Sequence, residues 1–257
     1  MFKAASSQKI RQRFHGSAGR YDRHCGLHSE IAEKLLAQVI KRPSPASCLD
    51  VGCGTGHLTV KLKEHFPQSR VVGLDFAQGM LDEARPKHEG IAWVLGDIQD
   101  LPFEDGSFDM VVSNAAYQWA QDLPSAFVQT YRVLKPGGIL MCTLFGHDTC
   151  QELLQSLQQA KAGLQFDRLP DKARIHQSLL AAGFSNPVID SHEVKMSFTD
   201  MYELMAWIKA IGANNLLRQG FVGGQALARA ASIYKEQFSY QQAVKATFEV
   251  IGLYAQK

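Results

Sequence analysis

The 257-residue chain lacks charge of one sign: 27 Lys and Arg stand against 25 Asp and Glu, a net +2. So even a balance offers no strong field to a polyanion or an anionic lipid surface, and neither nucleic acid nor a membrane is expected as a partner. No apolar run approaches the ~20 residues that a membrane-spanning helix needs. The opening segment MFKAASSQKIRQRF has no apolar stretch of the kind a secretory signal carries. It is basic, with Ser6 and Ser7 in the manner of a transit peptide, and it suits an amphipathic helix equally well. Cysteine is sparse and unpatterned. Cys25, Cys48, Cys53, Cys142 and Cys150 include no Cys-x-x-Cys pair, which argues against a disulfide framework or a thiolate zinc site and for reduced thiols in the cytoplasm. The nine histidines show no His-Glu-x-x-His spacing, so no metal is expected. Internal repeats and low-complexity tracts are absent as well.

What is present starts at LDVGCGTGH, residues 49–57. An apolar run reaches Asp50, then Gly52, Gly54 and Gly56 follow at alternate positions, and a helical segment begins. Glycine lets backbone approach a ligand and takes angles that a side chain forbids. The helix start behind it offers unpaired N–H groups to an anionic group. The dinucleotide fingerprint is Gly-x-Gly-x-x-Gly. Here His57 stands where its third glycine would fall, so the spacing speaks against a nicotinamide dinucleotide.

Further acids follow at regular intervals. RVVGL (70–74) is a β-branched run ending at Asp75, placed to chelate two ribose hydroxyls. IAWVLGD (91–97) ends at Asp97. SFDMVVSNAAYQW (107–119) reads as a fourth strand with Asn114 and Ala115 at its carboxyl end, and RVLKPGGILMCTLF (132–145) as a helix end, a Pro-Gly-Gly turn and a fifth strand. Alternating strands and helices from Ser47 to Leu144 predict a parallel sheet with right-handed crossovers. A parallel sheet presents its ligands beyond the carboxyl ends of its strands, where all these residues fall. Any one of the acids would also serve as a helix N-cap.

Around this unit the pattern is helical. Residues 6–25 read as helical and then irregular, and Leu27–Ile40 as a helix. Helices are expected at 149–163, 170–182, 200–211 and 226–239, a sixth strand at 187–197 and a last one at 245–254. The helices at 149–163 and 199–239 exceed what the sheet requires and are expected to cap the ligand site.

The Asp50-to-Gly56 loop resembles motif I of class I S-adenosylmethionine-dependent methyltransferases. The resemblance implies a Rossmann-like α/β fold, with a mostly parallel sheet of seven strands, helices on both faces and a helical cap. One domain of residues 1–257 would comprise an N-terminal cap (1–46), a donor-binding half (47–148), cap or lid helices with strand six (149–242) and the last strand (243–257). S-adenosylmethionine would be the co-substrate, without a metal. Its implied contacts are Asp50, Gly52, Gly54, Gly56, Asp75, Phe76, Met80, Asp97, Ile98, Asn114 and Ala115, with Asp97 and Ile98 reading the adenine edge.

Three segments beyond motif I sharpen the likeness: RFHGSAGRYDRH (13–24), DRLP (167–170) and WIKAIGANN (207–215). Together they resemble the malonyl-acyl-carrier-protein O-methyltransferases of biotin synthesis over nearly the whole chain. That family methylates the free carboxylate of a malonyl thioester, so the implied partner is an acidic acyl-carrier protein bearing malonate, or malonyl-CoA. By position, Tyr21 would stand at the mouth of the site, and Arg168 and Lys209 would handle the acceptor carboxylate or its carrier. Each has a plainer reading: core packing for Tyr21, capping or surface charge for Arg168, a solvated side chain for Lys209. Lys161, Arg168, Lys172, Arg174, Lys209 and Arg218 form a candidate basic docking patch, or a scattered set of solvated charges. GFVGGQALARA (220–230), rich in Gly and Ala, departs from the family pattern. Two other readings remain: a methyltransferase of the same fold acting on a quinone-like or other small metabolite, and a donor-binding protein without turnover.

Overall fold

A computed structural model describes residues 2–162, 165–166, 169–213, 217–218 and 223–257. Seven strands make the path of the main sheet: β1 Ser47–Val51, β2 Arg70–Asp75, β3 Ala92–Leu95, β4 Phe108–Asn114, β5 Leu134–Phe145, β6 Ser185–Phe198 and β7 Ala243–Gln256. Their order is β3-β2-β1-β4-β5-β7-β6. Every pairing from β3 to β5 is parallel, while β7 runs antiparallel between β5 and β6. Ser239–Tyr240 folds back on the start of β7, and residues 165–166 pair with 217–218 apart from the main sheet. The sequence expectation of a mostly parallel seven-stranded sheet is therefore met.

The helices among the described residues are α1 Phe2–His24, α2 Gly26–Val39, α3 His57–His65, α4 Gln78–Ala84, α5 Leu123–Val133, α6 Gln151–Gln159, α7 Lys172–Ala182, α8 Met201–Ala210 and α9 Gly224–Phe238. The central strands are apolar along their length because both faces are covered. In β4, Val111 joins the core that holds Phe127 of α5 and Leu179 of α7, while Met110 and Val112 join Leu35 of α2 and Leu62 of α3 on the other face. A third core joins α2, α6, α8 and α9 through Ile31, Leu157, Leu204, Ile208 and Tyr234. Ala18 of α1 packs on Ala77 and Met80, so α1 lies along α4.

Several boundaries differ from the sequence reading. The helix α1 runs unbroken to His24, because Phe14, Ala18 and Tyr21 pack on α4 and the tertiary contact overrides the two glycines. The fourth strand ends at Asn114, the carboxyl end expected for it, and the rest of the 107–119 stretch leaves the sheet: Ala115 takes φ 52°, and a 3₁₀ turn follows at Tyr117–Trp119. The sixth helix ends at Gln159, whereas Gly163, its expected stop, lies outside the described residues. Gly183 does end α7, at φ 102°.

Candidate active site

The strand order reverses between β1 and β4, and the loops leaving their carboxyl ends diverge there. Such a switch point is where an open α/β sheet binds its ligand. An open-mouthed cleft of about 720 Å³ occupies it. The three glycines of the β1 loop do three different jobs. Gly52, at φ 71°, passes so close to the β4 loop that a Cβ would stand 2.2 Å from Ala116 Cβ. Gly56, at φ 85°, lies under Trp93, whose ring a Cβ would meet at 2.6 Å, and it does not line the cleft. Gly54, at φ 54°, lines the cleft and has nothing within 4 Å of the place a Cβ would take. That open space is a cradle for a ligand against bare backbone.

Asp75, at the end of β2, is 5% exposed. Its Oδ2 accepts from the Gly54 N–H at 2.9 Å and its Oδ1 from the Ala77 N–H at 2.8 Å. Burial pushes its carboxyl up to about 6, against the pull of these N–H groups. Asp50 lies deeper, in a side recess shared with Tyr21, Gly52 and Gly54, and accepts from the Thr59 hydroxyl at 2.6 Å. Burial, with the negative charge of Asp75 adding to it, raises Asp50 to about 7. Two buried carboxyls near the ends of the neighbouring strands β1 and β2 favour a ligand that brings a positive charge.

Asp97 ends its loop in a turn, its Oδ1 accepting from the Gln99 N–H at 2.9 Å. Ile98, Phe76 and Met80 line the cleft beside it. Asn114 donates to the His28 carbonyl at 2.9 Å and accepts from the Thr143 hydroxyl at 2.7 Å. These bonds fix the β4 end, where Ala115 holds a left-handed conformation.

Ile10, Phe14 and Tyr21 carry α1 across the cleft. The helix is tied down by Asp22, which accepts from the Thr55 hydroxyl at 2.6 Å and from Lys87 Nζ at 2.8 Å, and by His15 Nδ1, which accepts from the Gly79 N–H at 2.9 Å. Tyr21 faces both the cleft and the Asp50 recess. Burial, then the nearby Cys25, Asp75 and Asp22, push its hydroxyl far up, so it stays a neutral phenol.

Trp119 joins the cleft to an apolar recess of about 380 Å³ under the cap, walled by Phe145, Leu169, Trp207, Ile208 and Phe248. His28 of α2 lines both this recess and the one behind Gly54. Its ring meets Phe145 edge-on at 5.3 Å and lies 5.9 Å from Tyr21. Burial holds it neutral, with its pKa lowered to about 4.

The structure thus brings Tyr21, Gly52, Gly54, Asp75, Phe76, Met80, Asp97, Ile98, Asn114 and Ala115 onto one cleft, with Asp50 in the adjoining recess and Gly56 behind the loop. Arg168 lies outside the described residues, although its chain neighbour Leu169 lines the apolar recess. Lys209 is exposed on α8, while its neighbours Trp207 and Ile208 line the recess. Sequence reasoning missed Phe14, His28, Gln99, Trp119 and Trp207. Trp119 and Gln99 had a usable signal, since both closely follow a strand end. Phe14, His28 and Trp207 come from helices whose approach to the site is set by tertiary packing.

S-adenosylmethionine fits this site on three counts: the bare face at Gly54, the buried carboxyl of Asp75 at the end of β2, and the second acid, Asp50, in the adjoining recess, a pair that suits a cationic ligand. Among the described residues no cluster of three or more His, Cys, Asp or Glu is placed to hold a metal ion. Residues 49–142 match the methyltransferase domain family. The fold resembles that of the YcgJ protein from Bacillus subtilis, with a TM-score of 0.64 at 17% identity over 88% of this chain and 98% of that one. A putative methyltransferase from Bacillus halodurans gives a TM-score of 0.63 at 20% identity over the same shares, 88% and 98%. Fold and site together define an S-adenosylmethionine-dependent methyltransferase. The malonyl-[acyl-carrier protein] O-methyltransferase of Xylella fastidiosa is 35% identical over 250 residues, covering 94% of this chain and 85% of the relative. That of a Methylovorus species is 35% identical over 262 residues, covering 97% and 88%. The chain belongs to the malonyl-[acyl-carrier protein] O-methyltransferase family.

Proposed function

We propose that the chain methylates the free carboxylate of a malonyl thioester carried on an acyl-carrier protein, as a step toward biotin, with malonyl-CoA as an alternative carrier. The observation that carries this reading is the union, through Trp119, of a cleft suited to the donor with an apolar recess under the cap. Gly54, Asp75, Asp97 and Ile98 hold the donor, which supplies an electrophilic methyl group when bound. Tyr21 lines the cleft and the Asp50 recess beside it.

A carboxylate is already ionised at neutral pH, so the site needs no general base. Its task is to align the acceptor oxygen and keep water out, which a wall of aromatic rings does. The neutral state of Tyr21 and His28 matters here, because neither ties up the acceptor's charge in an ion pair. On this reading α1, α6, α8 and α9 form the cap. The exposed cations Lys161, Lys172, Arg174 and Lys209 are available to an acidic carrier.

The aromatic lining of the recess also favours a second reading, an uncharged ring-bearing metabolite as acceptor. Incubation with labelled S-adenosylmethionine and malonyl-acyl-carrier protein separates the two. A methyl ester found by mass spectrometry and removed by saponification is expected. No ester, with donor binding intact, sinks the malonyl reading and leaves the ring-bearing acceptor.

A further inference from the structure

The apolar recess holds two polar atoms that nothing among the described residues satisfies. His28 Nδ1 and Gln118 Oε1 are both inaccessible to solvent and both lack a hydrogen-bond partner. Their side chains line the same recess, with walls that are otherwise almost wholly apolar. An unpaired buried polar atom is destabilising, so two at one recess mark a place where a ligand supplies the missing partners. Neither side chain is loose. His28 is wedged against Phe145 and Tyr21, and Gln118 is anchored by its amide nitrogen, which donates to the Ala115 carbonyl at 2.9 Å.

That anchoring leaves Gln118 with only its carbonyl oxygen to offer, an acceptor. His28 in its neutral form offers one ring N–H as a donor. With the His28 proton on Nδ1, a ligand that satisfies both presents an acceptor oxygen and, within the same recess, an N–H group. The reacting end of an acyl thioester has only acceptor oxygens. Its N–H groups belong to the arm that carries it, when that arm contains amides.

We propose that His28 donates to an oxygen of the acyl acceptor, and that Gln118 accepts an amide N–H from the thioester arm. The recess thereby selects acyl thioesters of amide-bearing thiols over free acids and simple thioesters. This deepens the acceptor reading given above and rests on it. Neither residue figured in the sequence-based set of site residues.

The test compares two acceptors, malonyl-pantetheine and the malonyl thioester of butanethiol, which lacks the arm's amides. One hydrogen bond is worth about a factor of ten, so the wild type should favour the amide-bearing acceptor about tenfold in kcat/KM. Gln118→Leu should bring that ratio to about one, and general damage to the fold would leave the ratio unchanged. His28→Phe keeps the ring's bulk and should raise the KM of both acceptors about tenfold while the Kd for S-adenosylmethionine stays put. His28→Asn, which restores an N–H near the place of Nδ1, should recover most of the loss.

A ratio that survives Gln118→Leu overturns the arm contact. A wild-type acceptor KM in His28→Phe, or an equal loss of donor affinity, overturns the role of His28. Donor binding with no turnover of either thioester by the wild type overturns the acceptor reading, and this inference with it.

Discussion

The Gly54 N–H donates to Asp75 Oδ2 across 2.9 Å, tying the loop after β1 to the end of β2. One bond thus sets the distance between the bare glycine face and the carboxylate proposed to hold the ribose. Asp75 still has lone pairs to spare after its two backbone bonds, and they point the way to its function. Asp75→Ala should weaken binding of S-adenosylmethionine by about 1–3 kcal/mol, the worth of a charged hydrogen-bond acceptor. Calorimetry showing unchanged affinity would remove Asp75 from the donor site.

The same carboxylate makes donor binding depend on pH. Burial raises the Asp75 carboxyl to about 6 in the free protein, and the proposed contact with the donor uses its ionised form. Affinity should therefore be flat above that pH and fall about tenfold per unit below it, since one pKa unit equals 1.36 kcal/mol. Asp75→Asn should bind weakly with no such slope. A wild-type Kd constant from pH 5 to 8 would contradict the assignment.

Asp50 predicts a stability effect of its own. Its carboxyl is raised from 3.8 to about 7, so the folded chain keeps a proton that the unfolded chain releases. Between those values folding stability falls as pH rises, because the unfolded state binds fewer protons. Asp50→Asn removes the buried charge and keeps an acceptor for the Thr59 hydroxyl. In the ligand-free protein its Tm should exceed that of the wild type at pH 8, and the gap should close as the pH approaches 4. A gap that does not vary with pH would mean that Asp50 carries no buried charge.

The glycines of the loop separate binding from folding. Gly54→Val projects into the open cradle and should abolish donor binding, at a stability cost of about 1–2 kcal/mol for its left-handed backbone. Gly56→Ala meets the Trp93 ring at 2.6 Å and should cost about 2–4 kcal/mol of stability. Thermal melts with donor titrations on both variants check this. Donor bound at wild-type strength by Gly54→Val, or a wild-type Tm in Gly56→Ala, would reverse the division.

Asp22 is one of the ties that hold α1, beside His15 and Trp207. Its carboxyl is raised by partial burial but lowered further by the bonds from Lys87 and Thr55, and ends below its ordinary value. Asp22→Ala should speed release of S-adenosylmethionine and raise amide exchange over residues 14–24, while α5 and α7 keep their protection. Unchanged release and exchange would show that the other ties and the packing on α4 hold the helix without Asp22.

How much of this was legible beforehand depends on how local each signal is. The glycine loop, the acid at each strand end and the alternation of β6 are short-range patterns, and the strands followed them to within a few residues. The end of the fourth strand was placed at Asn114 and Ala115, where it falls, but the turn there was not legible, because Ala115 looks like an ordinary strand residue. Its left-handed turn is imposed by the Thr143 carbonyl that accepts its N–H, a contact 28 positions further along the chain. The acceptor side was less legible still. His28, Trp119 and Trp207 belong to three separate segments that meet only when α2 and α8 pack together, and no spacing in the sequence encodes that meeting.

The segment 207–215 illustrates the difference and yields the last prediction. From sequence its lysine looked like the group to handle an anionic acceptor. In the fold Lys209 is exposed, while Trp207 turns inward, donating to the His24 carbonyl at 2.9 Å and packing on Phe248 at 5.4 Å. The tryptophan therefore joins α8 to the end of α1 as well as walling the recess. Trp207→Ala should raise the acceptor KM about tenfold or more, since it removes one aromatic wall of the recess. Lys209→Ala should leave kcat on small malonyl thioesters intact and raise KM only for the protein-borne substrate, with an effect that fades at high salt. Steady-state kinetics on malonyl-pantetheine and malonyl-acyl-carrier protein separate the two roles. Equal loss on both acceptors in Lys209→Ala would return the lysine to the reacting carboxylate.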